Sequence, residues 1–318
     1  MSITVGVVMD PISQINPKKD TTLAILLGAQ RRDWDIHYME MNDIGLRDGV
    51  PFATTRQLSV EDSLDDWYSF RSEEQVMPLA DLDVILMRKD PPFDTEYIFA
   101  TYLLEQARAR GSLIVNDPRS LRDANEKLFT AWFSDVCPST LVTRESDEIK
   151  RFLAEFGDII VKPLDGMGGA SIFRVVAGDS NASVIYETLT QHGQTFCMVQ
   201  KYIPEIKAGD KRILMIDGEP IPYALARIPS AGELRGNLAA GGKGRGQPLT
   251  ERDREICATV GPELRRRGLI FVGLDVIGDY LTEINVTSPT CMRELEAQFD
   301  IAIADQLIEC IAGHLKRK

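Results

Sequence analysis

The chain has 318 residues, 44% of them hydrophobic and 26% charged, enough for about two or three soluble globular domains with ample cores. A formal net charge of −12 argues against nonspecific nucleic-acid binding, which rests on Lys and Arg meeting phosphates, but it leaves room for small anions where basic residues gather locally. Five cysteines without a C-x-x-C pair, three histidines without zinc spacing, no signal-like N-terminus and no apolar run near ~20 residues predict a cytoplasmic protein with free thiols and no membrane contact.

Residues 3–9 (ITVGVVM) read as a buried strand, 18–33 as a helix by their apolar spacing, and 35–40 as a second strand. Residues 42–78 are polar and read as irregular. A third strand at 82–88, a helix at 94–110 and a fourth strand at 112–116 follow. Strands alternating with helices predict a parallel sheet with helical crossovers, and ligands in such sheets sit beyond the C-terminal strand ends. Arg88 is at such an end, where solvent and ligand are both open as its partner.

Beyond a helix expected over 117–133, strands at 140–144 and 158–164 flank a helix at 145–156. From 170 onward short strands dominate, at 170–176, 197–203, 210–217 and 222–228, and Asp217–Pro220 (DGEP) is a hairpin signal. The expected domains are 1–122, 123–203 and 204–318.

The stretch DIIVKPLDGMGGASIF, 158–173, ends a strand on Lys162 and then runs through Gly166, Gly168 and Gly169. It reads either as an ordinary turn or as bare backbone closing on an anion, with the lysine adding a point charge. It is neither G-x-x-x-x-G-K-[ST], since the lysine precedes the glycines, nor G-x-G-x-x-G, since a strand follows. The glycine-rich segment 228–248 has almost nothing to bury and reads as a lid bringing Arg235, Lys243 and Arg245 over a ligand.

FVGLDVIGDYLTEINV, 271–286, reads as a hairpin turning near Gly278–Asp279. A two-residue loop sets Leu274 opposite Glu283; a three-residue loop, 278–280, pairs Asp275 with Glu283 and Gly273 with Asn285 and leaves one apolar face, so the pattern selects it. Opposed carboxylates repel unless a cation lies between them, and Asp275, Glu283 and Asn285 offer the oxygen ligands by which magnesium is usually held. Ser288, Pro289 and Thr290 precede a helix, as a cap or an anion site, with Arg293 one turn in. Cys291, with no histidine nearby in sequence, reads as a structural thiol.

The segments MRKDPPFD, NEKLFTAWFS, KPLDGMGGASIFR, DKRILMIDGEPIPYALARIP, RGNLAAGG and FVGLDVIG…LTEINVTSPT resemble the bacterial glutathione synthetases of the ATP-grasp superfamily over nearly the whole chain. The resemblance implies an α/β chain: a Rossmann-like N-terminal domain and two α+β lobes that clasp ATP. It also implies ligation of γ-glutamylcysteine and glycine with ATP and magnesium (manganese as a possible substitute), commonly in a homotetramer. Carried over by position, Lys127, Lys162 and the loop Gly166, Gly168, Gly169 and Ser171 hold phosphates. Gln200, Lys201 and Tyr202 line the adenine, and Asp210 the ribose. Arg212 and Arg227, with Arg235 of the lid, serve the reacting phosphoryl group; Asp275, Glu283 and Asn285 hold the metal. Arg88, Ser288, Pro289, Thr290 and Arg293 bind the dipeptide. Another carboxylate–amine ligase, or an ATP-binding regulator without turnover, remain the alternatives.

Overall fold

The structure, a computed structural model, describes residues 2–166, 169–230, 236 and 243–317. Its first sheet begins with β1 (Thr4–Val8), α1 (Thr21–Gln30) and β2 (Asp35–Met39). Val5, Val7 and Val8 have no exposed surface, as a strand covered on both faces requires. Asp20 caps α1, its Oδ1 accepting from the Leu23 N–H at 2.6 Å. A ribbon of β3 (Ile44–Arg47), β4 (Val50–Val60), β5 (Tyr68–Phe70) and β6 (Gln75–Pro78) follows. Then come β7 (Val84–Met87), α2 (Thr95–Arg108) and β8 (Leu113–Val115). The order is β3-β4-β2-β1-β7-β8, parallel from β2 to β8, with β4 antiparallel on β2 and carrying β5 and β6.

The ribbon replaces the irregular segment expected over 42–78. Its signal is weak because the inward positions of β4 include Ala53 and Thr55, both essentially unexposed, where a strand pattern would call for large apolar side chains.

α3 (Pro118–Asp123) and a 3-10 stretch at Leu128–Val136 stand where one helix was expected. The second sheet is built from β9 (Thr140–Thr143), α4 (Ser146–Phe156), β10 (Asp158–Pro163), β11 (Phe173–Val176), α5 (Ala182–Thr190) and β12 (Cys197–Lys201). Its order is β11-β10-β12-β9, antiparallel throughout. α5 was not anticipated: its Val, Ile, Tyr and Thr are strand-prone types, and only the helical spacing of buried Tyr186, Leu189 and Thr190 reveals it.

The third sheet has β13 (Asp210–Ile216), β14 (Glu219–Ile228) and β15 (Lys243–Pro248), then α6 (Glu251–Arg266), β16 (Phe271–Ile277), β17 (Tyr280–Asn285), α7 (Met292–Phe299) and α8 (Ile303–Lys316). Its order is β15-β14-β13-β16-β17, again antiparallel. Lys243–Pro248 is therefore a strand and not part of a loose lid; Lys243 pairs with Ile228 and Arg245 with Ala226. Its glycines fit close neighbours: a Cβ on Gly246 would come within 2.4 Å of the Phe299 ring. Arg235 and most of the remaining segment lie outside the described residues.

Two apolar clusters run through the first and third sheets together, one joining Met39 and Leu104 to Ile213 and Val272, the other joining Val5 and Leu23 to Leu214 and Ile308. The second sheet has its own core of Ile149, Ile159, Val161, Val175, Tyr186, Leu189, Cys197 and Val199. Polar stitches add to the first pairing. Asn116 donates from Nδ2 to the carbonyls of Phe271 and Val286, each at 2.7 Å, and accepts from the Phe271 N–H at 2.9 Å.

Candidate active site

A cleft of about 400 Å³ opens among the three sheets. Its acidic wall is the β16–β17 hairpin. Asp275 pairs with Glu283 and Gly273 with Asn285, but the connection differs from the three-residue loop expected. The turn has two residues, Gly278 and Asp279, between the pair Ile277–Tyr280, and the register shifts after Val276–Leu281. Thr282 is the extra residue of this bulge, and its Oγ1 donates to the Asp275 carbonyl at 3.0 Å. A short turn plus a bulge thus gives the same facing pairs as a longer loop.

Charge on this wall is balanced by side chains from two other directions. Arg212 of β13 donates to Asp275 from Nε at 2.5 Å and from Nη2 at 3.1 Å. Arg227 of β14 reaches Asp275 Oδ2 at 2.8 Å and also pairs with Asp210. All four groups are buried. Burial would raise the Asp275 carboxyl, but Arg212 and Arg227 outweigh it and hold it down at about 2. Asp210 goes the other way: burial, only partly offset by Arg227, pushes it up to about 7, and its Oδ1 is buried without a hydrogen-bond partner.

Lys127 and Lys162 approach Glu283 from the opposite side, each with Nζ 3.9 Å from its Oε1. Lys127 also donates to Glu126 at 2.7 Å and to the Gly166 carbonyl at 2.6 Å. Burial lowers the Lys162 ammonium below its ordinary range, against the pull of Glu283. For Lys127 burial is outweighed by Glu283 and Glu126, and the net direction is upward. Gly166 and Gly169 line the cleft; Gly169 has φ of 79°. Gly168 lies outside the described residues, and Ser171 is exposed with φ of 58°.

Gln200, Lys201 and Tyr202 leave β12 along the cleft wall beside Ile203. The N–H groups of Lys201 and Tyr202 are already used, donating to Ser139 at 3.0 Å and Asp158 at 3.1 Å. Ile160, Ile203, Ile206 and Ile277 give an apolar slot between the second and third sheets. These four, with Asn125, Glu126 and Asp165, were not singled out from the sequence. Isolated isoleucines on separate elements carry no local motif, although the Glu126–Lys127 adjacency was visible.

Arg88 is buried at the C-terminal end of β7. Its Nε donates to Thr22 Oγ1 at 3.1 Å and its Nη2 to the Pro289 carbonyl at 3.0 Å, while Ser288 Oγ donates to the Arg88 carbonyl at 3.3 Å. Ser288 and Thr290 line the cleft, and so does Cys291, which is buried at the start of α7 with φ of 83°. Arg293 is not brought in: it pairs with Asp62 on the first-sheet side. The arrangement gathers cations, an oxygen-rich acidic wall and an apolar slot, which suits a polyphosphate with a flat base beside an acid to be activated.

Residues 3–122 match the family described as prokaryotic glutathione synthetase, N-terminal domain, and residues 126–300 match its ATP-grasp domain. The chain is 62% identical to glutathione synthetase of Escherichia coli O127:H6 over 316 residues, covering 99% of this chain and 100% of that one. It is 61% identical to glutathione synthetase of Vibrio vulnificus, covering 99% of each chain. Among solved structures, D-cycloserine synthetase DcsG aligns with a TM-score of 0.69 at 15% identity, covering 98% of this chain and 99% of that one. ATP-grasp ligase PsnB aligns with a TM-score of 0.66 at 17% identity and the same coverage. At these identities the solved structures speak for the fold alone.

Proposed function

The chain belongs to the prokaryotic glutathione synthetases, ATP-grasp ligases joining γ-glutamylcysteine to glycine with ATP, and we propose how the residues of its cleft divide that work. Lys127 and Lys162 hold the phosphates, with Gly166, Gly169 and Ser171 of the glycine loop beside them. The base enters the slot of Ile160, Ile203, Ile206 and Ile277 beside Gln200, Lys201 and Tyr202. Since the Lys201 and Tyr202 N–H groups are used within the protein, the base edge is read by the Lys201 carbonyl and the backbone that follows. The unpartnered Oδ1 of Asp210 is an acceptor ready for a ribose hydroxyl. Arg88, with Ser288, Pro289 and Thr290, takes a carboxylate of the dipeptide. Arg293 pairs with Asp62 through Nη2, and its Nη1 has no hydrogen-bond partner.

Asp275, Glu283 and Asn285 would hold magnesium, for which manganese can stand in. Their donor chemistry fits: every ligand is oxygen, as a hard cation requires. The Asp275 carboxylate has about four lone-pair sites and gives three to the arginines. Asn285 donates from Nδ2 to the Gly273 carbonyl at 3.3 Å, keeping Oδ1 as acceptor. Magnesium supplies charge neutralisation across the phosphates.

A carboxylate is a poor acyl donor until its oxygen is made a leaving group. The dipeptide carboxylate oxygen attacks the γ-phosphorus, the bond to ADP breaks, and an acyl phosphate results. Glycine's amine then attacks the acyl carbon and phosphate departs with the C–O bond. Arg212 and Arg227 neutralise the transferring phosphoryl oxygens, which is where such reactions gain most. The cleft keeps water from the acyl phosphate. Free thiols at all five cysteines accord with a reducing, cytoplasmic setting. Phe99 and Tyr102, more than half exposed on α2, offer apolar area for assembly of four copies.

The observation that carries this reading is that Lys162, Arg212, Arg227, Asp275 and Glu283, from five strands of two sheets, meet in one cleft, with Lys127 Nζ 3.9 Å from Glu283 Oε1. It is tested by manganese resonance in the presence of a non-transferable ATP analogue. Glu283→Gln and Asn285→Ala should lose the bound signal and Asp279→Asn keep it; equal binding in all three would overturn the metal assignment.

A further inference from the structure

Far from the cleft, the turn between β13 and β14 faces the last helix. Asp217 begins that turn, and Cys310 and His314 stand four residues apart on α8, so they share one face of the helix. None of the three lines the cleft. One donor atom from each — a carboxylate oxygen, the thiol sulfur and an imidazole nitrogen — lies within 4.8 Å of the other two. We propose that Asp217, Cys310 and His314 form a binding site for one zinc-type divalent cation, with the fourth position open to water.

The donor set decides the class of metal. Sulfur and imidazole select zinc, cobalt and their neighbours and are poor ligands for magnesium, so this site and the oxygen-lined wall of the cleft sort different ions. The geometry is near what such an ion needs. Bonds of about 2.0–2.3 Å at the tetrahedral angle set donors roughly 3.3–3.6 Å apart. His314 Nε2 and Asp217 Oδ1 are already 3.4 Å apart, and the Cys310 sulfur lies within 4.8 Å of both.

Two further features point to a ligand. His314 Nε2 is buried at the atom level and makes no hydrogen bond, although it faces the carboxylate. Asp217 is held from both sides of its own backbone: its N–H donates to the Ile270 carbonyl at 2.7 Å, and its carbonyl accepts from Arg265 Nε at 2.9 Å. The residue has φ of 48°, so the direction of its Cα–Cβ bond is set by the turn. The three side chains are only half-buried, which leaves an entry path. On binding, the Cys310 thiol gives its proton to solvent, and thiolate plus carboxylate balance the dication. The bound ion clips α8 to the hairpin of β13, whose other end carries Asp210 and Arg212.

The test is titration of the metal-stripped full-length chain with cobalt(II), followed by near-ultraviolet thiolate-to-cobalt charge transfer and by thermal stability, with and without saturating magnesium and ATP. One cobalt per chain, a charge-transfer band, a raised melting temperature and indifference to magnesium–ATP are expected. The band should vanish in Cys310→Ser, while His314→Gln and Asp217→Asn should bind roughly tenfold or more weakly, at least the loss seen when a supporting partner of a ligand is removed. No band in the parent, or a band that survives Cys310→Ser, overturns the proposal. The two weaker variants keep the test decisive if the serine variant folds poorly.

Discussion

Glu283 is the counter-charge that keeps Lys162 charged. Its carboxylate is 3.9 Å from the Lys162 ammonium, and burial already works against that ammonium. At this separation and an effective dielectric near 20, the attraction is about 4 kcal/mol, and it opposes the downward push of burial on the lysine. Glu283→Gln removes it while preserving shape. Lys127 keeps Glu126 at 2.7 Å and stays charged. In the variant, Lys162 should be partly neutral in the free protein at mildly alkaline pH and become protonated when phosphates arrive. ATP binding should then take up a proton, and affinity should fall as pH rises. The assay is calorimetric titration with ATP in chelator, from roughly pH 6 to pH 9, a range in which unperturbed carboxylates and lysines stay in one form. Two buffers of different ionisation enthalpy measure the proton uptake. Adding Lys162→Met should remove the part of the pH dependence that Glu283→Gln adds to the parent's. If the affinity of Glu283→Gln follows the parent across the range, the pairing has no such role.

Asp210 gives a stability prediction with a definite sign. Its carboxyl rises from the ordinary 3.8 to about 7 in the folded chain, so between those values the native state binds the extra proton and stability falls as pH rises; denaturant titrations should show Asp210→Asn flattening that fall. Gly261→Ala, a change that usually stabilises a helix interior, should here lower the melting temperature, because the new Cβ would be 2.2 Å from the Gly218 carbonyl oxygen; a loss of roughly 1–3 kcal/mol is expected from such overpacking, and an unchanged melting point would contradict the contact. With heavy oxygen in the dipeptide carboxylate, mass analysis of the released phosphate should find one labelled oxygen; label in AMP would mean adenylation instead.

How far the sequence reaches can be seen at the hairpin. Alternating apolar residues determine which faces meet, so the partners of Asp275 and Asn285 were readable, but the route was not. A bulge at Thr282 and a longer loop impose the same pattern on the strand. The parallel core of the first sheet was legible because Val5, Val7 and Val8 are apolar without interruption. β4 and β15 were not, since Ala53, Thr55, Gly244 and Gly246 carry their packing in small side chains. Least visible was the clamp of Arg212 and Arg227 on Asp275, which joins three strands and leaves no mark on any one of them. Arg293 shows the converse: a charge near a helix start resembles a ligand contact, yet its partner Asp62 comes from a distant loop.

The separate core of the second sheet sets how the molecule can breathe. Because β9 to β12, α4 and α5 bury their large side chains against one another, swinging that unit away from the rest uncovers little oil-like surface. What joins it to the remainder at the cleft floor is polar: Asn125 Nδ2 to the Leu164 carbonyl at 2.9 Å, and Lys127 to that of Gly166. Water can replace such bonds at small net cost, so opening is a wetting event and not a partial unfolding. The stiffness of the jaw is then supplied largely by whatever occupies it, and the empty molecule should yield easily in the one direction through which its cargo must pass.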